Sequence, residues 1–201
     1  EDRNALEAAL RVREACGGTV AVVTMGLPAA CAILRTALMY GADEAYLLTD
    51  RRAAGSDTLA TSYLLSQAVR TLKPDLVFCG RQAIDGDTAQ VGPQIAEKLG
   101  FPALTYLTGI RMDGDYAIAT RDIGTGVETD RVKLPALFTV TDAFGELRPP
   151  NVRRVMKYKK AKAPVENGGV APEGDRYASD IAFSVTDGTT GGTTSGVVST
   201  V

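Results

Sequence analysis

The sequence predicts an α/β domain built on a mainly parallel sheet and followed by a β-rich extension. Three observations carry that reading. Short apolar, β-branched runs alternate with stretches of helical period, the pattern of a parallel sheet covered on both faces. Gly17-Gly18, Gly41 and Lys73-Pro74 punctuate the helical stretches where they should stop. From Phe101 onward the spacing changes to strands joined by tight turns.

Each element has its own local warrant. Ala5, Leu6, Ala9 and Leu10 share one helical face, with Glu7, Arg11, Arg13 and Glu14 elsewhere on that helix. Val20 to Thr24 reads as a buried strand. Pro28 opens a helix through Tyr40, in which Ile33, Leu34, Ala37 and Leu38 are expected to face inward. Ala45 to Thr49 is the next strand, and the loop Arg51 to Asp57 leads to a helix ending near Leu72. Asp75 to Cys79 is a third strand, followed by a long Gly- and Asp-rich loop and a helix from Gln90 to Leu99. Strands are then expected over Leu104 to Met112, Tyr116 to Arg121, Val127 to Lys133 and Ala136 to Thr141. Three regions follow: residues 1–148 as the α/β domain, 149–163 as a basic segment, and 164–201 as a Gly/Thr-rich tail. Gly188 to Val201 carries no charged side chain and is expected to be flexible.

Composition excludes several classes of function. The chain has 201 residues, 45% of them hydrophobic, which suits one domain with a proper core. Its apolar runs are too short to span a bilayer, and no signal segment opens it, so a soluble, cytoplasmic protein without membrane insertion is expected. A net charge of −2 gives no overall attraction to nucleic acid. The local exception is Arg153, Arg154, Lys157, Lys159, Lys160 and Lys162, either a solvated face or a docking surface for an acidic partner. Three separated cysteines form no Cys-x-x-Cys pair, and there is no histidine. Those absences remove Ser-His-Asp and Cys-His catalysis, and neither a zinc site nor a disulfide framework is expected. No catalytic residue is assigned, so any chemistry is expected to belong to a bound cofactor.

The loops carry the functional signal. Ligands of an open parallel sheet lie outside the carboxyl ends of its strands. Three loops leave such ends: Thr24-Met25-Gly26, Asp50 to Thr58, and Gly80 to Pro93. Each precedes a helix whose free N–H groups and positive dipole end suit a phosphate. In the second loop, Gly55-Ser56-Asp57-Thr58, either Ser56 or Asp57 can cap the following helix. The third, Gly-Arg-Gln-Ala-Ile-Asp-Gly-Asp-Thr-Ala-Gln-Val-Gly-Pro, is too long for a plain connection. Gly86 and Gly92 allow close backbone approach to a ligand, and Gln82, Thr88 and Gln90 can orient polar groups toward phosphate or ribose. Neither a Walker lysine nor a Gly-x-Gly-x-x-Gly fingerprint is present, so the domain is Rossmann-like without the standard dinucleotide motif.

Residues 80–93 resemble the central nucleotide loop of electron transfer flavoprotein beta subunits, especially the electron-bifurcating type. Val23 to Gly26, Ala37 to Asp43 and Gly55 to Ser62 resemble further family segments in the right order, and the likeness covers roughly residues 1–163. The resemblance implies pairing with an alpha subunit that carries an electron-transferring FAD. It implies FAD in this chain, with a structural AMP as the alternative. In bifurcating members, NADH reduces the beta-subunit flavin. One electron passes to ferredoxin or flavodoxin, and the other passes through the alpha-subunit FAD to an acyl-CoA dehydrogenase or quinone oxidoreductase. By the same resemblance, Ser56, Asp57, Thr58, Thr61, Ser62, Asp87, Thr88, Ala89, Gln90, Val91 and Gly92 hold the diphosphate, with Gly55, Gly80 and Gln82 beside them. Thr24, Met25, Gly26, Ala42 and Asp43 lie near the adenosine.

Residues 149–160 are similar to the family's partner-recognition stretch, with Val152 at the apolar anchor and Lys157, Lys159 and Lys160 on the basic run. The family places a strand and loop that supply part of the nucleotide pocket before the first helix, whereas this sequence starts at the helix, as a fragment or an incompletely built chain would. Outside the family, a stand-alone adenine-nucleotide sensor or hydrolase would need Asp85 or Asp87 beside a metal.

Overall fold

The computed structural model describes residues 1–167, 181–184 and 196–200. Five α-helices are present among them: α1 (Asp2–Cys16), α2 (Cys31–Tyr40), α3 (Thr58–Leu72), α4 (Val91–Leu99) and α5 (Val152–Tyr158). The strands are β1 (Thr19–Met25), β2 (Glu44–Leu48), β3 (Leu76–Gly80), β4 (Ala103–Asp113), β5 (Tyr116–Asp122), β6 (Val127–Lys133), β7 (Ala136–Val140), β8 (Ile181–Ser184) and β9 (Gly196–Thr200). They form one sheet in the order β6-β5-β4-β7-β3-β9-β1-β2-β8. The β-rich extension therefore continues the α/β sheet. β7 and β4 run parallel on the flank of β3, and the β4-β5-β6 meander closes that side antiparallel.

Alternation along each strand sends successive side chains to opposite faces. Val20, Val22, Leu76, Phe78 and Phe138 pack under α1 and α2, while Ala21, Val23, Val77, Cys79 and Leu137 pack under α3 and α4. Phe78 and Phe138 stack with ring centroids 5.6 Å apart at the centre of the first layer. Each fully buried Phe or Leu here contributes about 1.5–3 kcal/mol. Among the described residues, no helix is long and apolar enough to cross a membrane.

Two elements depart from the sequence reading. The tail supplies two strands, with β8 pairing with β2 and β9 lying between β1 and β3, all parallel. The expectation of flexibility over Gly188 to Val201 is corrected for the five residues of β9, where β-branched Val197, Val198 and Thr200 suit a strand. The rest of that expectation lies outside the described residues. The basic segment also holds a helix, α5. Asn151 caps it by accepting from the N–H groups of Arg153 and Arg154 (2.9 and 3.3 Å).

Candidate functional site

The loops after β1, β2 and β3 all leave the carboxyl edge of the sheet, on either side of the position filled by β9. β2 lies beyond β1 on one side, and β3 on the other. The chain thus reverses direction across the sheet at this point, where an open α/β sheet forms its crevice. The amino ends of α3 and α4 meet there, joined by Thr58 Oγ1 donating to Gln90 Oε1 at 3.4 Å. Asp57 caps α3 by accepting from the Ala60 N–H at 2.8 Å, while Ser56 instead donates to the Ala53 carbonyl. α4 starts from Gln90 with no side-chain cap, so its first N–H groups are free of an internal side-chain partner.

The loop between β3 and α4 is strained at two places. Asp87 and Ala89 both adopt positive φ (47° and 52°), rare for residues with a Cβ. Gln90 follows Ala89 in right-handed backbone (φ −100°, ψ −29°). A left-handed residue followed by a right-handed one turns successive N–H groups toward one point, an arrangement that receives anions. Asp87, Thr88 and Gln90 are exposed, and Gln82 Nε2 donates to Asp87 Oδ1.

Comparison with known proteins gives this edge a family. The electron transfer flavoprotein domain profile matches residues 1–170. The chain belongs to the electron transfer flavoprotein family. It is 49% identical over 166 residues to electron transfer flavoprotein subunit beta of Thermoanaerobacterium thermosaccharolyticum, covering 82% of this chain and 64% of that protein. It is 44% identical over 178 residues to the caffeyl-CoA reductase-Etf complex subunit CarD of Acetobacterium woodii, covering 86% and 68%. Over 172 residues it is 45% identical to Protein FixA of Azorhizobium caulinodans, covering 82% and 61%. This chain spans 60% to 64% of the length of three beta-subunit relatives.

The sequence-assigned site residues of this family member fall into two groups. Gly55, Ser56, Asp57, Thr58, Thr61, Gly80, Gln82 and the run from Asp87 to Gly92 gather at the carboxyl edge. Met25 and Gly26 end β1 on the same edge, where the Gly26 N–H donates to the Leu48 carbonyl, and Thr24 is buried in the strand before them. Ala42 and Asp43 are elsewhere. They precede β2 at the amino edge, and Asp43 accepts from Arg13 (2.8 Å), Arg154 (3.2 Å) and the Val20 N–H (3.0 Å). The structure does not bring those two residues, assigned near the adenosine, together with the carboxyl-edge loops, because a Gly-Ala-Asp ahead of a strand lies at its other end.

Three further assignments acquire structural causes. Ser62 is fully buried in α3 and donates to the Leu59 carbonyl at 2.9 Å. A Cβ on Gly92 would lie 2.8 Å from Thr139 Cγ2, so that glycine lets α4 sit closely on β7. A Cβ on Gly80 would lie 2.4 Å from Asp2 Oδ1. Asp2 accepts from the Gly80 N–H and Glu1 from the Gln82 N–H, both at 3.1 Å, so the start of α1 closes this part of the loop. Burial pushes the Asp2 carboxyl above its ordinary range, against the pull of the Gly80 hydrogen bond.

Sequence reasoning missed Arg81 and Tyr106. Arg81 pairs with Glu1 at 3.0 Å and lies 5.6 Å from the centre of the Tyr106 ring. Its Nε is buried without a hydrogen-bond partner. Tyr106 has φ 62°, an uncommon backbone for an aromatic residue, at an irregular register between β4 and β7. The arginine in Gly80-Arg81-Gln82 was a visible signal; the backbone of Tyr106 leaves none in a sequence.

On the α1/α2 face, Glu7 is buried and accepts hydrogen bonds from Arg11 Nε and from the N–H, Nε and Nη2 of Arg148. Burial pushes the Glu7 carboxyl up, but the bonds from Arg148 and Arg11 outweigh it and hold it below its ordinary range. Arg148 also grips Glu14 and lowers its pKa. Among the described residues, no cluster of His, Cys, Asp or Glu could hold a metal ion.

Proposed function

We propose that this chain is the beta-type subunit of a heterodimeric electron transfer flavoprotein and that its carboxyl-edge loops bind FAD. The observation that carries the reading is the loop 80–93, with positive φ at Asp87 and Ala89, exposed Thr88 and Gln90, and direct entry into an α4 that lacks a side-chain cap. This donor set fits a diphosphate. The N–H groups from Thr88 to Gly92 and the hydroxyls of Thr58, Thr61 and Thr88 can hold it, assisted by the dipoles of α3 and α4. The roles of Asp57 and Gln82 are to cap α3 and to brace Asp87.

A flavin held here supplies hydride acceptance and one-electron transfer. The residues of the chain bind, orient and shield it, with no side chain required as acid or base. The reading extends to NADH as donor, ferredoxin or flavodoxin as one acceptor, and an alpha subunit leading to an acyl-CoA dehydrogenase or quinone oxidoreductase. Two relatives support an acyl-CoA-type acceptor by their names, a caffeyl-CoA reductase complex subunit and an acryloyl-CoA reductase electron transfer subunit. A cytoplasmic setting fits three cysteines of which none is in a disulfide among the described residues. α5 is the docking element for the acceptor. It exposes Val152 and Met156 beside Arg153, Lys157, Lys159 and Lys160.

AMP is the second reading. Asp2 and Glu1 already occupy the N–H groups of Gly80 and Gln82, which shortens the free donor row and favours a smaller nucleotide. The loop assignment is tested by Asp87→Ala and Thr88→Ala in the heterodimer. Each should weaken nucleotide binding about tenfold, the size of one charge-assisted hydrogen bond or strained turn lost, with the melting temperature nearly unchanged. Full occupancy in both variants would make the loop purely structural.

A further inference from the structure

α5 places side chains one turn apart on opposed sides. Val152 and Met156 point outward, 76% and 64% exposed, while Arg154 and Tyr158 turn inward and Tyr158 is buried. The Arg154 guanidinium donates to the carbonyl oxygens of Leu38 and Ala42 (3.3 and 2.7 Å) and to Asp43 Oδ1 (3.2 Å). The Leu38 carbonyl lies in the last turn of α2 and the Ala42 carbonyl just beyond its Gly41 cap, where the negative dipole end of the helix favours a cation. Asp43 is itself fixed by Arg13, which also donates to the Gly41 carbonyl at 2.7 Å. Ahead of α5, the Asn151 N–H donates to the Met39 carbonyl at 3.3 Å.

A helix of seven residues is too short to hold its own shape in water. Tyr158 is its only buried residue, so apolar packing anchors just the last turn. The rotation of α5 about its axis must then be fixed by polar contacts near its middle. Arg154 is the residue placed to do this, because its planar fork meets three acceptors on two elements.

We propose that Arg154, held by Asp43, is the positioning residue of the docking helix. It turns Val152 and Met156 outward beside the exposed Lys159 and Lys160, and within the basic run it acts through orientation instead of attraction for the partner. The inference rests on the reading of α5 as the docking element, and its test separates the two.

The heterodimer is prepared as wild type, Arg154→Met, Arg154→Lys and Lys157→Glu. For each, tryptic cleavage within residues 153–160 is timed, and KM and kcat for the acyl-CoA dehydrogenase acceptor are measured from low to high salt. Arg154→Met should speed cleavage and raise KM about tenfold with kcat within twofold, equally at all salt concentrations. Arg154→Lys should recover only part of the loss, since an ammonium lacks the fork. Lys157→Glu should act mainly at low salt and leave cleavage elsewhere in α5 unchanged. Unchanged cleavage in Arg154→Met would overturn the positioning role whatever KM does. An Arg154→Met effect that salt screens away would make Arg154 an ordinary docking cation and also overturn it. Faster cleavage with KM unchanged, and no effect of Lys157→Glu at any salt, would leave the Arg154–Asp43 contact standing. It would refute docking through α5, and with it the inference.

Discussion

At the carboxyl edge of the sheet, Asp87, Thr88 and Gln90 stand exposed on a strained loop, with Gln82 and Thr58 as their side-chain partners. On the α1/α2 face, Asp43 and Glu7 have the same kind of side chain and the opposite surroundings. Asp43 is gripped by two arginines and a backbone N–H, and Glu7 by two arginines and a backbone N–H of its own. The first set keeps donors and acceptors available for a ligand at the expense of backbone strain. The second spends its hydrogen bonds on joining α1, β1, the turn before β2, and α5 with the segment that leads into it. A polar residue in this fold is therefore read by which end of a strand it borders as much as by its type.

Breaking the gripped set should cost most. Glu7→Ala leaves Arg148 facing a buried hole, and because Arg148 keeps 27% of its side-chain exposure the loss should be about 2–3 kcal/mol, below that of a fully buried pair. Urea denaturation reads it directly. A loss under about 0.5 kcal/mol would place Glu7 with ordinary surface residues.

Gly80→Ala tests the border between the two sets. Its new Cβ would lie 2.4 Å from Asp2 Oδ1 and 2.9 Å from the Asp2 backbone N, so the start of α1 must shift at a cost of about 1–3 kcal/mol. Adding Asp2→Ala should recover only part of this, since the backbone atom remains. Full recovery in thermal unfolding would show that the side chain alone is the obstacle.

Acid should act on the gripped carboxylates with a smaller, graded effect. Glu7, Glu14 and Glu166 all have folded-state pKa values below the ordinary glutamate range. For Glu166, burial raises the value, but the bonds from Arg35 and the Ala163 N–H outweigh it. Their contribution is complete above the unfolded value near pH 4.3, to within about a unit, and is lost as pH falls through the lower folded values. Asp2 has the opposite sign, since its raised pKa favours the protonated folded state. The melting temperature should therefore fall on acidification below about pH 4.5, and Glu7→Gln should flatten that slope. An unchanged slope would remove Glu7 from the linkage.

Most of the fold was legible because strand and helix periods are local properties. Val20 to Thr24, Asp75 to Cys79 and the strands after Phe101 announce themselves by alternation and by turn residues. β8 and β9 were not legible, since Ile-Ala-Phe-Ser and Gly-Val-Val-Ser-Thr are short and their pairing with β2, β1 and β3 is non-local. The 80–93 loop was legible from its length and its glycines. The reasons for two of those glycines were not, because Gly80 answers to Asp2 and Gly92 to Thr139, residues far away in the chain. The separation of Asp43 from the carboxyl-edge loops was not legible, because a side chain before a strand and one after it look alike in sequence, while the length of the strand holds them apart.

The nucleotide content of the complex tests the central claim most directly. The chain is purified with the proposed alpha subunit, the visible spectrum is recorded, and the nucleotides released by denaturation are separated by chromatography. Two FAD per heterodimer is the expected result; one FAD with one AMP would contradict a flavin at the carboxyl edge of this chain.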